Sequence, residues 1–544
     1  MKRFDVLGLL AASALLPACT RVGGAGGDNG GRHPWTVAGE LRYADGEDPV
    51  GLNPLSNTHA ASSWLAELWG AWLFRTTAAF DPVPELCREL PTVENGLISR
   101  DGRRITLKLR DAVWSDGVPF TSHDVAFSVA LIQDPNTIVT SREGWELIQR
   151  VETPDDRTAI LHLRDTYSAW ASTFFSTGGA NPCLLPKHIV ASQNVNTGAY
   201  NGKPIGIGPF VIDAWNRGQS VELSANPKYW RGLPKLKRVV YSIIPSDETM
   251  MTQLRAHDID LWVQMNATKL DEALTVPDVT VIRKPSVYWW HLDCNCEQPA
   301  LAEVAVRQAL NYAIDRKTII DKVLHGAGLL NWSVLSPLSF AYNPAVKQYP
   351  YDLARANALL DAAGWKRGAG GLRSKNGQSL HFTVAYGAGS ATWAQMLELI
   401  RASWSRLGVT FDLKSYQTNI YFAPYQNGGI VQGGKFDICA FQWGNTASPT
   451  GIVNLYAGDR IPPQGQNDLR YRNAKVTDLL HRATQTLERA EQKTLLQQAQ
   501  AQIAEDCPTF PIAQSVALYA ASVDLKGFDP SSLSPLDFMM NVEI

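Results

Sequence analysis

Short β-branched runs in which apolar and polar residues alternate recur along most of the chain, and turn residues bound them. This pattern predicts strands over residues 36–43, 104–109, 158–163, 221–225, 238–244, 279–282, 380–385, 409–415 and 436–441. Between them, apolar residues fall at helical spacing. Thr121-Ser122-His123-Asp124 opens a helix with a capping-box pattern, followed by Val125, Phe127, Val129 and Leu131. Residues 303–317 place Val306, Leu310, Ala313 and Ile314 on one helical face, and Asp352 caps a helix that Gly364 ends. Residues 476–505 read as one long helix. After Arg32 no Gly/Ser-rich or Pro-rich break separates independent domains. Mixed order without internal repeats predicts α/β lobes, assembled in part from discontinuous segments.

The first residues carry an address. Lys2 and Arg3 precede an apolar stretch over 6–16, and Leu16-Pro17-Ala18-Cys19 follows. A basic start, a short apolar run and a small residue before the cleavage point predict a signal peptide over 1–18. The run falls short of the ~20 apolar residues that a membrane-crossing helix needs. Leu-x-Ala-Cys resembles the bacterial lipobox, which implies that the Cys19 thiol carries a diacylglycerol and ties the protein to a membrane. Within 19–32, Gly23, Gly24, Gly26, Gly27, Gly30 and Gly31 make a flexible tether. No strand precedes these glycines and no Gly-Lys-Ser/Thr follows them, so they do not read as a phosphate loop.

Composition narrows the function. Lys plus Arg number 50 against 52 Asp plus Glu, a net charge of -2, which argues against bulk nucleic-acid binding. The 17 tryptophans exceed what a core alone asks for and suit a pocket that stacks on flat or apolar groups. Cys19 apart, six cysteines remain, with no Cys-x-x-Cys pair, so neither a disulfide scaffold nor a zinc site is predicted and buried free thiols are. No His-Glu-x-x-His, Gly-x-Ser-x-Gly or Ser-x-x-Lys occurs, and no cofactor motif does either. The sequence therefore predicts a protein that is not an enzyme.

A set of motifs then points to a family. Residues 107–129 read LKLRDAVWSDGVPFTSHDVAFSV. Gly206-Ile207-Gly208-Pro209-Phe210, Asn226-Pro227-Lys228-Tyr229-Trp230 and Val306-Arg307-Gln308-Ala309-Leu310-Asn311-Tyr312-Ala313-Ile314-Asp315-Arg316 follow, and then the segment 351–365. In this order and spacing they resemble the bacterial extracellular solute-binding proteins of peptide ABC importers, solute-binding family 5. Physically the motifs are folding punctuation: Gly206 and Gly208 offer backbone angles closed to other residues, and Asp116-Gly117 makes a turn before a capped helix. None is chemically reactive.

The resemblance implies an α/β, two-lobed periplasmic-binding-protein fold with a hinge and an extra subdomain in the first lobe. Lobe I is expected over 33–284 with a smaller unit over about 53–163, lobe II over 285–510, and a return to lobe I over 511–544. The crossings fall near Pro285 and near Phe510-Pro511. The implied partners are a peptide or other small solute and an ABC transporter permease. Two segments are expected to line the cleft. In 288–295, read as a strand, Trp289, His291, Asp293 and Asn295 share one face and Trp290, Leu292 and Cys294 the other, so the polar face suits a cleft. In 436–449, Trp443 aligns with a family Trp that precedes a polar ligand loop, here Gly444, Asn445 and Thr446. Asn53, at the start of the smaller unit, is counted with them. In peptide binders an Asp in that loop pairs with the peptide's α-ammonium. None appears here, which leaves Asp293 as the candidate carboxylate. A receptor for an oligosaccharide or other neutral solute is the first alternative. An exported hydrolase or a chaperone-like lipoprotein is the second, because Asp and Glu are too common for sequence to single out a catalytic pair.

Overall fold

The computed structural model describes residues 31–49, 51–56, 60–139, 141–178 and 181–544. The signal peptide, Cys19 and the tether up to Gly30 lie outside the described residues.

Two long strands organise the molecule. Val279–Cys294 and Thr509–Ser522 run antiparallel, from Val279 opposite Ser522 to Pro285 opposite Val516. After a register shift they pair again from Trp289 opposite Gln514 to Asp293 opposite Thr509. Their first stretch neighbours Leu261–Trp262, and their second neighbours Ile438–Gly444. A single 11-stranded sheet therefore serves two bodies. On one side it continues through the parallel strands Glu40–Asp45 and Arg238–Ile243 to Ser220–Ala225 and Phe210–Asn216. On the other it continues through His381–Gly387 to Thr410–Tyr416. Separate cores fill the two bodies: Leu41, Tyr43, Val239 and Tyr519 in one, and Leu292, Leu310, Trp404 and Phe510 in the other. The antiparallel strands Arg104–Lys108, Thr158–Leu163 and Ile148–Asp155 carry a further core around Trp114, Val125 and Leu161.

The motifs turn out to be joints between elements. Gly206 and Gly208 keep ordinary negative φ, so their role differs from the one expected of them. A side-chain carbon at Gly208 would lie 2.7 Å from the Trp69 carbonyl carbon, and one at Gly206 would strike the Trp69 carbonyl oxygen. Both glycines let this turn lie directly on the end of helix Ala60–Trp69. Asn226 then ties its own motif to the turn, donating from Nδ2 to the Gly208 carbonyl at 2.8 Å. Gly117, at φ 102°, does make the expected left-handed turn. Asp124 also closes the expected cap, accepting from the Thr121 backbone N–H at 2.9 Å.

Two predicted helices are broken. Residues 303–317 form Val304–Tyr312 and the start of Arg316–Lys322. Asp315 starts the second helix by accepting from the Thr318 N–H at 3.1 Å, and buried Arg316 donates to the carbonyls of Asn311, Ile314 and Pro511. Residues 476–505 divide into Ala474–Gln485 and Arg489–Asp506, because the Glu488 carboxylate accepts from the Ala490 and Glu491 N–H groups. A capping carboxylate inside an apolar-periodic run outcompetes continuation of the helix.

Candidate functional site

The two bodies meet at several points beside the shared strands. Phe80, Val287 and Ala447 form a small apolar contact with Leu338 and Leu533 against it. Arg489 pairs with Asp81 and stacks over Phe340 at 4.1 Å. The Ser168 N–H donates to the Thr484 carbonyl at 3.0 Å. These contacts border a cavity of about 780 Å³ lined by Phe80, Asp81 and Trp170 from one body and by Phe340, Ala447 and Glu488 from the other. That volume lies in the range of small-molecule and short-peptide pockets.

The expected lining strand behaves differently from the reading of its two faces. Leu292 and Cys294 enter the large core, as expected. The polar face is covered too. Trp289 belongs to a second core with Tyr456, Leu480 and Leu496. His291 stacks on Trp289 at 4.2 Å, meets Phe441 edge-on at 4.6 Å, and lies 3.3 Å from the Asp293 carboxylate. Asp293 is 4% exposed, and its Oδ1 has no hydrogen-bond partner. Asn295 is buried as well and donates to the Gly434 and Phe436 carbonyls. The expectation that Trp289, His291 and Asp293 face a cleft is therefore corrected: elements cover this sheet on both faces, and alternation marks two interiors instead of an inside and an outside. Behind Asp293 lies Asp468, also buried, whose carboxyl is pushed up to about 7 by burial and then by the Asp293 charge, against the pull of Arg470.

Accessible groups sit at the end of the strand pair. Tyr288 lies opposite Gly444 and is 49% exposed. A side-chain carbon at Gly444 would come within 2.9 Å of the Tyr288 ring, so the glycine leaves room for it. Protein around the Tyr288 hydroxyl, and then the Glu47 charge, push its pKa above the usual phenol value. Thr446 is exposed and donates to the Ser448 carbonyl at 2.9 Å. Trp443 is half-buried against the cores of Tyr456 and of Tyr421. Asn445 is buried, with Nδ2 donating to the Val334 carbonyl at 3.2 Å and Oδ1 unpartnered. Asn53 is a buried brace: its Nδ2 donates to Asn201 at 2.9 Å and its Oδ1 accepts from the Leu55 N–H. The structure thus sets Gly444 against Tyr288 and leaves Thr446 exposed, and keeps Asn53, Trp289, His291, Asp293 and Asn445 inside. Tyr288 itself went unselected in the sequence, where it reads as one more aromatic beside Trp289 and Trp290.

The six cysteines among the described residues are free, and burial raises the Cys296 and Cys507 thiols to about 11. Among the described residues no group of three or more His, Cys, Asp or Glu could hold a metal ion, and no helix is long and apolar enough to cross a membrane.

Comparison with known proteins accords with this architecture. Heme-binding protein A of Haemophilus influenzae is 27% identical over 557 residues, 97% of each chain. Oligopeptide-binding protein AppA of Bacillus subtilis is 24% identical over 86% of this chain and 85% of its own. The solved structure of HbpA2 from Haemophilus parasuis superposes with a TM-score of 0.79 at 23% identity, covering 92% of this chain and 99% of its own, and establishes the two-lobed fold. The family model for the middle region of bacterial extracellular solute-binding proteins, family 5, matches residues 61–460. With most of its length accounted for by that match, the chain belongs to the bacterial extracellular solute-binding proteins, family 5.

Proposed function

We propose that the protein is a lipid-anchored extracytoplasmic receptor that captures a peptide or peptide-like solute between its lobes and delivers it to an ABC importer. Members of this family are non-enzymatic transport receptors. One observation carries the reading. Two strands shared by both lobes break their mutual register between Pro285 and Trp289, beside a cavity with walls from each lobe. A hinge of two strands lets the lobes rotate without breaking either core, and closure removes water from the bound solute. We take lobe I as 33–284, with its smaller unit at 53–163, and lobe II as 285–510. The register break between Gln514 and Val516 supports a return crossing a few residues beyond Pro511. Gly444 and Thr446, with Tyr288, are the residues of the hinge end best placed to touch the solute, and Trp443 backs them.

A second reading, a receptor for a neutral solute such as an oligosaccharide, is favoured by the absence of any carboxylate over 444–448. Mass spectrometry of small molecules released from protein purified without refolding separates the two: intact short peptides support the first, and sugars or other uncharged solutes the second. For the anchor, Cys19→Ala should leave an exported protein that fractionates as soluble, because one lipid-bearing thiol is the attachment. Full retention of the variant in washed membranes would contradict a lipid at Cys19.

A further inference from the structure

We propose that residues 523–544 form a strap whose seating on lobe I is locked by a proton on Glu67, and that this seating sets the strength of the contact between the lobes. The strap leaves the shared strand Thr509–Ser522 and crosses lobe I. Leu536, Met539, Val542 and Ile544 enter the core around Leu41 and Tyr43, and the Ile544 carbonyl accepts from the Gly39 N–H at 3.2 Å. Midway, Asp529 pairs with Lys284 on the other shared strand. Leu533 then packs against Phe80, Val287 and Ala447, the apolar contact where the lobes meet. Whatever seats residues 531–537 therefore holds one wall of that contact.

The seat is a buried cluster of charges at the end of helix Ala60–Trp69. Buried Arg75 donates to the Glu67 backbone carbonyl at 3.1 Å, pairs with Asp537, and lies 3.4 Å from the Glu85 carboxylate. The Thr177 hydroxyl also donates to Asp537. Tyr229 and Arg231 donate to Glu85 at 2.7 and 2.6 Å. The guanidinium charges of Arg75 and Arg231 thus balance Glu85 and Asp537 and leave none over for Glu67. The Glu67 carboxyl, equally buried, accepts from the Leu536 N–H at 2.9 Å. The phenols of Tyr43 and Tyr519 feel its charge, and burial keeps both protonated. Burial, and then the charge of Asp537, hold the Glu67 carboxyl well above the usual carboxylate range, against the pull of the Leu536 N–H and Arg75. Of the two acids, Asp537 has the cation and the hydroxyl, so the proton rests on Glu67. Its loss would set a second carboxylate beside Asp537 and push Leu536 away from the helix. Next in the chain, Phe538 sits at φ 61°, a left-handed conformation that a bulky residue keeps only while its surroundings hold it. Once Leu536 and Asp537 are unseated, that conformation is released and the strap lifts from the lobe contact.

The test pairs infrared spectroscopy with hydrogen–deuterium exchange, on the full-length wild-type protein and on Glu67→Gln, which keeps the acceptor for Leu536 and cannot ionise. At about pH 8.5, above the value of about 7 at Asp468, wild-type protein should show the carbonyl stretch of a protonated carboxyl, and Glu67→Gln should lack it. Between about pH 8.5 and about pH 10 the band should disappear. Over the same range amide protection across residues 531–541, corrected for the intrinsic exchange rate, should fall at least ten-fold, together with protection at Val287 and Ala447. Glu67→Gln should stay protected throughout. Leu533→Ala should lower protection at Val287 and Ala447 while residues 536–541 remain protected. No band, a band shared with Glu67→Gln, or wild-type protection that is unchanged at about pH 10 or falls equally in Glu67→Gln overturns the proton lock. Unchanged protection at Val287 and Ala447 in Leu533→Ala overturns the link from strap to lobe contact. Neither result depends on which solute the protein binds.

Discussion

Asp468 shows how a single buried group can set a pH profile. Burial and the nearby Asp293 charge raise its carboxyl to about 7, and its Oδ1 finds no partner. In the unfolded chain the value is about 3.9. A carboxyl whose pKa rises on folding holds its proton more tightly in the native state. Its contribution is therefore most favourable below about pH 4, declines as pH climbs, and is lost once pH passes about 7. Asp468→Asn keeps the shape and removes the charge, so it should raise stability at pH 8 by roughly 2–4 kcal/mol and change it little at pH 4. Thermal unfolding at the two pH values checks this. Destabilisation at pH 8 that exceeds the change at pH 4 would mean that the ionised carboxylate has a favourable partner after all.

At the scale of elements, the motif helix Val304–Tyr312 is held by one side chain. Arg307 is buried and donates to the carbonyls of Leu301, Ala302, Asp506 and Cys507, which joins the helix to the chain just before strand Thr509–Ser522. Arg307→Met keeps most of the volume and leaves these carbonyls without a donor. It should cost about 3–5 kcal/mol, read from the urea midpoint. A shift below about 1 kcal/mol would show that other donors replace it.

The same scale shows what was legible in the sequence. Period-2 runs such as 104–109, 158–163 and 238–244 appear as strands within a residue of their expected ends, because each is bounded by turns. Local caps such as Thr121 with Asp124 were readable for the same reason: every partner lies within four residues. Long-range geometry was not. Gly206 needs its lack of a side chain because helix Ala60–Trp69 ends against it, far away in sequence. The strand at 288–295 has a polar and an apolar face, yet both are buried, and only the position of Tyr288 at its lobe-facing end makes it accessible. Sequence alternation reports which side chains share a face; what covers that face is decided by chain hundreds of residues distant.

For the whole molecule, solute capture between the lobes requires motion about the shared strands without chemistry. The Asp81–Arg489 pair, the Ser168–Thr484 bond and the Phe80–Val287–Ala447 contact all join groups on opposite sides of the cleft. Leu487 also packs from one side against the core around Trp114 and Leu161 on the other, so the contacts across the cleft mix ionic, polar and apolar groups, as interfaces between domains of one chain commonly do. Solute that binds only the closed arrangement stabilises it, by about 2.7 kcal/mol at a hundred times the dissociation constant. The most direct test is small-angle X-ray scattering of the protein titrated with a defined mixture of tri- to pentapeptides, with the peptides recovered afterwards. The radius of gyration is expected to fall to a plateau at one peptide per protein, with the bound peptide recovered uncut. A radius unchanged at saturation, or a peptide recovered cleaved, would contradict it.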